Sequence, residues 1–169
     1  MTDASPLAER LRAGAPPLRL KWGIKQSFRE YVRAISDARL EVDSLPSESW
    51  EQEFAFAAAE QPGTLESGSL SFSGEVFLSG YRGMLAVRVR DPRIVQTGAD
   101  LVLDIMHPDF RDATTERLPV ALLGSFAPAQ DDDQQSFAAQ ATLLASATRV
   151  FDDIYAPGTE LDPVTIEFS

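Results

Sequence analysis

Apolar residues recur at every second position along most of this chain, and that period limits the folds open to it. Leu70, Phe72, Val76 and Leu78 alternate with Ser71, Ser73, Glu75 and Ser79. Leu85, Val87 and Val89 alternate with Ala86, Arg88 and Arg90, and Leu101, Leu103 and Ile105 repeat the pattern. Successive side chains of a strand point to opposite faces, so each run predicts a strand with one buried and one wet face. Antiparallel sheets carry that pattern; parallel strands, covered on both sides, do not. Further strands are expected over 18–22, over 52–59 with Phe54 and Phe56, and over 117–124, 136–144 and 164–168. Gly80-Tyr81-Arg82-Gly83 falls between two runs and reads as a hairpin tip. Asp91-Pro92 and His107-Pro108 read as turns, and Asp131-Asp132-Asp133 as an acidic loop.

Two stretches leave this period. Phe28, Tyr31, Val32 and Ile35 stand at i, i+3, i+4 and i+7, which predicts a short helix over 25–36 with Tyr31 looking into the fold. Val150, Phe151 and Ile154 predict a second helix over 146–155, closed by Pro157-Gly158. Residues 1–17 read as a flexible N-terminal arm with a helical turn or two around Leu7 to Leu11, ended by Ala15-Pro16-Pro17. The domain proper is then 18–169. The expected fold is mainly β: an antiparallel, β-sandwich-like single domain with two short α-helices.

Composition narrows the chemistry. A chain of 169 residues holds one domain with a real core. With no cysteine it has no disulfide, thiolate metal site or thiol nucleophile. A net charge of −11 argues against nucleic acid, which needs clustered Lys and Arg. No stretch approaches the roughly 20 apolar residues of a membrane helix, and no signal-peptide run opens the chain. As written, the chain reads as soluble and cytoplasmic, without membrane insertion. One histidine and no phosphate-loop, zinc or Ser-His-Asp pattern leave few parts for catalysis, so no enzymatic activity is expected. The adjacent carboxylates Asp152-Asp153 point different ways and form no dyad.

Four ordered pieces resemble one known family. The first is Leu20-Lys21-Trp22-Gly23 followed by Ser27-Phe28-Arg29 and Tyr31. The second runs from Phe72-Ser73-Gly74-Glu75-Val76 to Ser79-Gly80-Tyr81-Arg82-Gly83-Met84-Leu85. The third is Asp91-Pro92-Arg93-Ile94, and the last is the tail from Tyr155 to Pro163. Together they resemble the HtaA domain, the haem-binding conserved region of haem-uptake proteins of Gram-positive bacteria, usually secreted or surface-exposed. The resemblance implies a non-catalytic haem-binding module for haem buffering, transfer or uptake, with haem b as cofactor. It implies another haem carrier, or a second copy in a dimer, as partner.

The resemblance also assigns roles. The position matching Tyr31 ligates ferric haem iron in that family, and a phenolate is a hard anionic ligand suited to Fe(III). The family's supporting histidine stands here as Tyr81, whose hydroxyl can donate the same kind of hydrogen bond. Ser27 is implied at a propionate, Phe28 and Tyr155 in the haem pocket, and Ile154 where the family places a phenylalanine. His107, the only histidine, is a candidate second ligand or supporter of Tyr31. On residue type alone each has a plainer reading. Tyr31 would be a core tyrosine with its hydroxyl at the rim, Tyr81 a surface aromatic and Tyr155 a packing residue. Ser27 would serve the helix start and His107 the surface. The rival reading is an HtaA-fold protein that has lost haem and acts as a structural or protein-interaction domain.

Overall fold

The computed structural model describes residues 7, 11, 16–65, 68–108, 116–129 and 135–168. Strand β1 (Pro17–Trp22) leads into the helix α1 (Gln26–Arg33). There follow β2 (Arg39–Val42), β3 (Leu45–Pro46), β4 (Phe54–Ala58), β5 (Ser69–Ser73) and β6 (Glu75–Gly80). A 3-10 turn, Tyr81–Gly83, joins β6 to β7 (Leu85–Arg90). Next come β8 (Arg93–Thr97), β9 (Asp100–Met106), β10 (Arg117–Leu123), β11 (Ala127–Pro128) and β12 (Ser136–Leu143). A 3-10 helix, Ala145–Phe151, precedes the last strand, β13 (Glu160–Phe168).

The expected mainly β, antiparallel character holds, but the larger sheet closes on itself instead of facing a second sheet as a sandwich. Its order is β10-β9-β8-β5-β4-β1-β13-β12, and β12 pairs back onto β10 through Ala121↔Leu143, Leu122↔Thr142 and Leu123↔Ala141. Eight strands so joined make a barrel whose interior side chains can fill. Register shifts at Pro17/Arg19, Pro119/Ala121 and Ala139/Ala141 supply the bends that closure needs. A four-stranded sheet, β3-β2-β6-β7, stands beside it, with β7 touching β9. Alternation fills one continuous core. Leu20, Trp22, Phe56, Phe72, Val164 and Ile166 are buried in the barrel strands, and Val76, Leu78, Val87 and Val89 in the smaller sheet.

The run 70–78, one strand by periodicity, is two. Gly74 takes φ +135, open only to glycine, and there the chain passes from the barrel (β5) to the smaller sheet (β6). The bend preserves the alternation on either side, so periodicity alone could not show it. Strands β2, β3, β8 and β11 are not among the expected ones; β8 begins directly after the Asp91-Pro92 turn. The second helix is shorter than expected. It stops at Asp152, which turns left-handed at φ 55, well before Pro157-Gly158. In the arm, Leu7 and Leu11 have helical backbone and are buried in the core; its other residues up to 15, and Asp131 to Asp133, lie outside the described residues.

Alternation also sends Asp104 toward the wet face of β9, yet it is buried. Arg93 and Arg117 both bind its carboxylate at 2.8 Å, and Arg117 also donates to the Asp91 carbonyl at 2.6 Å. This clamp ties β8, β9 and β10 to the turn after β7. Asp104→Ala leaves two part-buried guanidinium groups without their acceptor and should cost about 2–4 kcal/mol in urea unfolding. A loss under about 0.5 kcal/mol, the ordinary range for a surface change, would show that the clamp contributes nothing to stability.

Candidate functional site

Helix α1 is short and gains its stability from packing, not from its own length. Phe28, Val32 and Ile35 are buried along one side. Its first turn is capped from the far end of the chain, where Asp162 Oδ1 accepts the Gln26 N–H at 2.9 Å. The other oxygen, Oδ2, receives Arg29 Nη1 at 2.6 Å. Arg29 is buried and also donates to the carbonyls of Gly23 (2.6 Å) and Trp50 (2.9 Å), so all its contacts are structural.

Tyr31 lies off the buried stripe and is 43% exposed, which corrects the expectation that it looks into the fold. At about 100° per residue, Ile35, Phe28 and Val32 fall within about 60° of arc, and Tyr31 lies about 40° beyond its edge. Its ring leans on Phe28, centroids 6.4 Å apart. Its hydroxyl lies near that of Tyr81, itself 51% exposed on the hairpin tip. Hydrogen bonding between the two phenols is the main cause that holds Tyr31 above its ordinary value of 10.0; partial burial and the nearby Tyr81, Asp152 and Tyr155 add to it. The two tyrosines the sequence paired are therefore together.

The tip's approach is close. A Cβ on Gly80 would lie 2.8 Å from Ile35 Cδ1 and 3.1 Å from its Cγ2, so a side chain there would force Ile35 to shift where the hairpin meets the end of α1. Asp37, just past the helix, then holds the tip: its carboxylate oxygens accept the Tyr81 N–H at 2.9 Å and the Arg82 N–H at 2.6 Å.

The third segment comes from the end of the second helix. Tyr155 is half-buried, its ring edge-on to Phe28 (6.0 Å) and Phe151 (6.3 Å). Ile154 is 45% exposed beside it. Phe28 is fully buried beneath both tyrosines, so it forms the floor of the site and not its wall. Ser27 is exposed in the first turn of α1, four residues before Tyr31 and on the same flank.

His107 is elsewhere. It follows Met106, which pairs with Arg117, and Arg117 reaches Asp91 at the foot of β7. Leu85, at the other end of β7, adjoins the tip, and six residues of strand span about 20 Å. The structure does not bring His107 to the tyrosine pair. Its backbone N–H donates to Glu116 O at 3.1 Å.

Sequence reasoning missed three neighbours. Met84, 85% exposed, closes the turn by donating its N–H to Tyr81 O at 3.1 Å. Lys25 holds its ammonium 5.6 Å from the Tyr155 ring centroid and donates to Glu160 O at 2.8 Å. Asp37 gives no local signal, because its partners are backbone groups 44 and 45 residues away. Among the described residues no cluster of His, Cys, Asp or Glu could hold a metal ion, and no helix is long and apolar enough to cross a membrane.

The chain is thus a closed antiparallel barrel with a side sheet, with Tyr31 and Tyr81 between helix and hairpin. The HtaA family model matches residues 18–167, and the chain belongs to that family. The C-terminal domain of HtaA from Corynebacterium glutamicum is similar at 25% identity, covering 91% of this chain and 96% of that one with a TM-score of 0.61. The N-terminal domain of the same protein is similar at 24% identity, over 92% and 98%, with a TM-score of 0.63. The haem-binding protein HtaB of that organism shares the fold at 18% identity, over 89% and 91%, with a TM-score of 0.61. None of the curated proteins matches the chain.

Two outcomes follow from this geometry. Gly80→Ala should lower stability by about 1–3 kcal/mol in urea unfolding, and adding Ile35→Val should recover part of it. No recovery would mean the contact is not what excludes a side chain. In an NMR titration of the tyrosine rings, Tyr31 should ionise above pH 10.0, and Tyr81→Phe should bring it down toward that ordinary value. The hydrogen bond stabilises the protonated phenol, so its contribution is complete below pH 10.0 and lost as pH rises through the raised value. A Tyr31 titration unmoved by Tyr81→Phe would remove the hydrogen bond as its cause.

Proposed function

We propose that this domain binds ferric haem without catalysing a reaction, with Tyr31 as iron ligand and Tyr81 supporting it. One observation carries the reading: an exposed phenol stands beside a second exposed phenol, on a floor of the buried aromatics Phe28 and Phe151. Two further exposed apolar side chains belong to the same segments, Met84 on the hairpin tip and Ile154 next to Tyr155. An exposed phenol over an apolar floor suits a flat apolar ligand with a single point of attachment. Membership of the HtaA family and the shared fold of the haem-binding HtaB support the same reading.

The donor set fits. Ferric haem would supply an apolar face and a Lewis-acidic iron with preference for a hard anionic oxygen. Tyr31 must first release its proton, which its raised pKa opposes. Tyr81 then changes role. It can accept a hydrogen bond from the neutral Tyr31 phenol, and by rotating its hydroxyl it can donate to a Tyr31 phenolate. A neutral donor beside the phenolate offsets part of the cost of charging it. Ser27, on the Tyr31 flank of α1, and Lys25, beside Tyr155, are placed to meet carboxylate groups at the ligand's edge. Such a module serves haem buffering, transfer or uptake, and haem b is the form proposed.

Titration of the purified protein with ferric haem, read by absorbance, tests this. Wild type should saturate at one haem per chain with tyrosinate charge-transfer bands. Tyr31→Phe should abolish those bands, and Tyr81→Phe should weaken binding about 10–100-fold. A wild-type response indistinguishable from that of a non-binding control protein would refute the proposal and leave the rival, an HtaA fold kept for structural or protein-interaction work.

A further inference from the structure

We infer that Asp37 is a positioning residue for the tyrosine pair: by holding the hairpin tip, it sets how well Tyr81 can support Tyr31. The tip is an unusual turn. Tyr81 (φ 50), Arg82 (φ 56) and Gly83 (φ 86) are consecutive left-handed residues, and two of the three carry side chains that disfavour that region. Such a conformation persists only where its surroundings impose it. Here successive backbone N–H groups converge on one anion. Asp37 Oδ1 takes the Tyr81 N–H at 2.9 Å and Oδ2 takes the Arg82 N–H at 2.6 Å. One carboxylate thus satisfies both.

Asp37 is also on the right piece of chain. It follows Tyr31 by six residues, past the end of α1 at Arg33. The Ile35–Gly80 contact lies between the two. Both contacts hold the tip to the segment that follows α1, a few residues beyond Tyr31. Asp37 acts through the backbone of Tyr81, not on a ligand.

The hydrogen bonds that hold the tip also hold Asp37 ionised. The Arg82 N–H, followed by the Tyr81 N–H, the Asp37 N–H and the Arg82 charge, keep its carboxyl below the ordinary value of 3.8. A depressed pKa means the anchor is in place above pH 3.8 and is lost only as pH falls through the lower folded-state value. The tip stays held across the whole neutral and mildly acidic range.

The functional meaning of this inference rests on the haem reading, but the geometry can be tested without haem. In NMR spectra of the protein alone, Asp37→Ala should weaken or abolish the ring-to-ring NOEs that wild type shows between Tyr31 and Tyr81. With ferric haem, Asp37→Ala should weaken binding about tenfold, and the double variant with Tyr81→Phe should match Tyr81→Phe alone. Asp37→Asn keeps one acceptor oxygen, should fall between wild type and Asp37→Ala, and replaces it if Asp37→Ala does not fold. Ring NOEs unchanged in a folded Asp37 variant, or haem-binding effects that simply add in the double variant, would overturn the inference. If wild type binds no haem, the haem reading fails by itself and the ring NOEs still decide the role of Asp37.

Discussion

Arg29 and Asp162 meet at 2.6 Å across 133 residues of sequence, and the site is built on that meeting. Asp162 is a joint with several arms. Its side chain caps α1 and binds Arg29, its carbonyl accepts the Trp22 indole N–H at 2.9 Å, and its own N–H donates to Ile24 O at 2.9 Å. The strand before the helix, the helix and the last strand are thereby fixed to one another. A helix of eight residues has little stability of its own, so Tyr31 has a defined place only because this joint gives it one. The second support is at the opposite end, where Ile35 presses on Gly80 and Asp37 grips the tip.

What the sequence revealed of this arrangement depended on the range of each signal. Alternation is local, and it located most strands to within a residue or two. Closure is not local. Nothing in Leu122 or Thr142 announces that they will pair, so a barrel and a sandwich look alike in one dimension. Gly74 hid a change of sheet because the inward parity of Leu70, Phe72, Val76 and Leu78 runs straight through it. For the helix, spacing placed Phe28 and Val32 correctly but could not tell the buried arc from the flank beyond its edge, where Tyr31 sits. The site divided in the same way. Tyr31 and Tyr81 were legible together only through family resemblance, Lys25 and Met84 were overlooked as ordinary surface residues, and Asp37 speaks only to backbone atoms, which carry no sequence signature.

A tyrosine in the supporting position changes the chemistry in one respect that a histidine would not. Imidazole gains a proton near pH 6.5, whereas a phenol stays neutral until about pH 10. Under the haem reading, the group beside Tyr31 is a hydroxyl in place of that imidazole, and the Asp37 carboxylate behind it is lost only below pH 3.8. A hydroxyl also turns about a single bond, so the pair can exchange donor and acceptor without moving the hairpin.

The pairing of the first strand with the last has a consequence for how the protein comes into being. On a ribosome the chain emerges from its first residues onward, and Tyr31 is exposed to solvent long before Asp162 has been made. Until Val164 reaches Trp22 the barrel has a gap where β13 belongs, α1 lacks both its cap and the carboxylate for Arg29, and the long-range contacts that define the fold remain open. A nascent or truncated chain therefore carries both tyrosines but not the geometry that relates them. Completion of synthesis, not synthesis of the two tyrosines, is the event that sets their geometry.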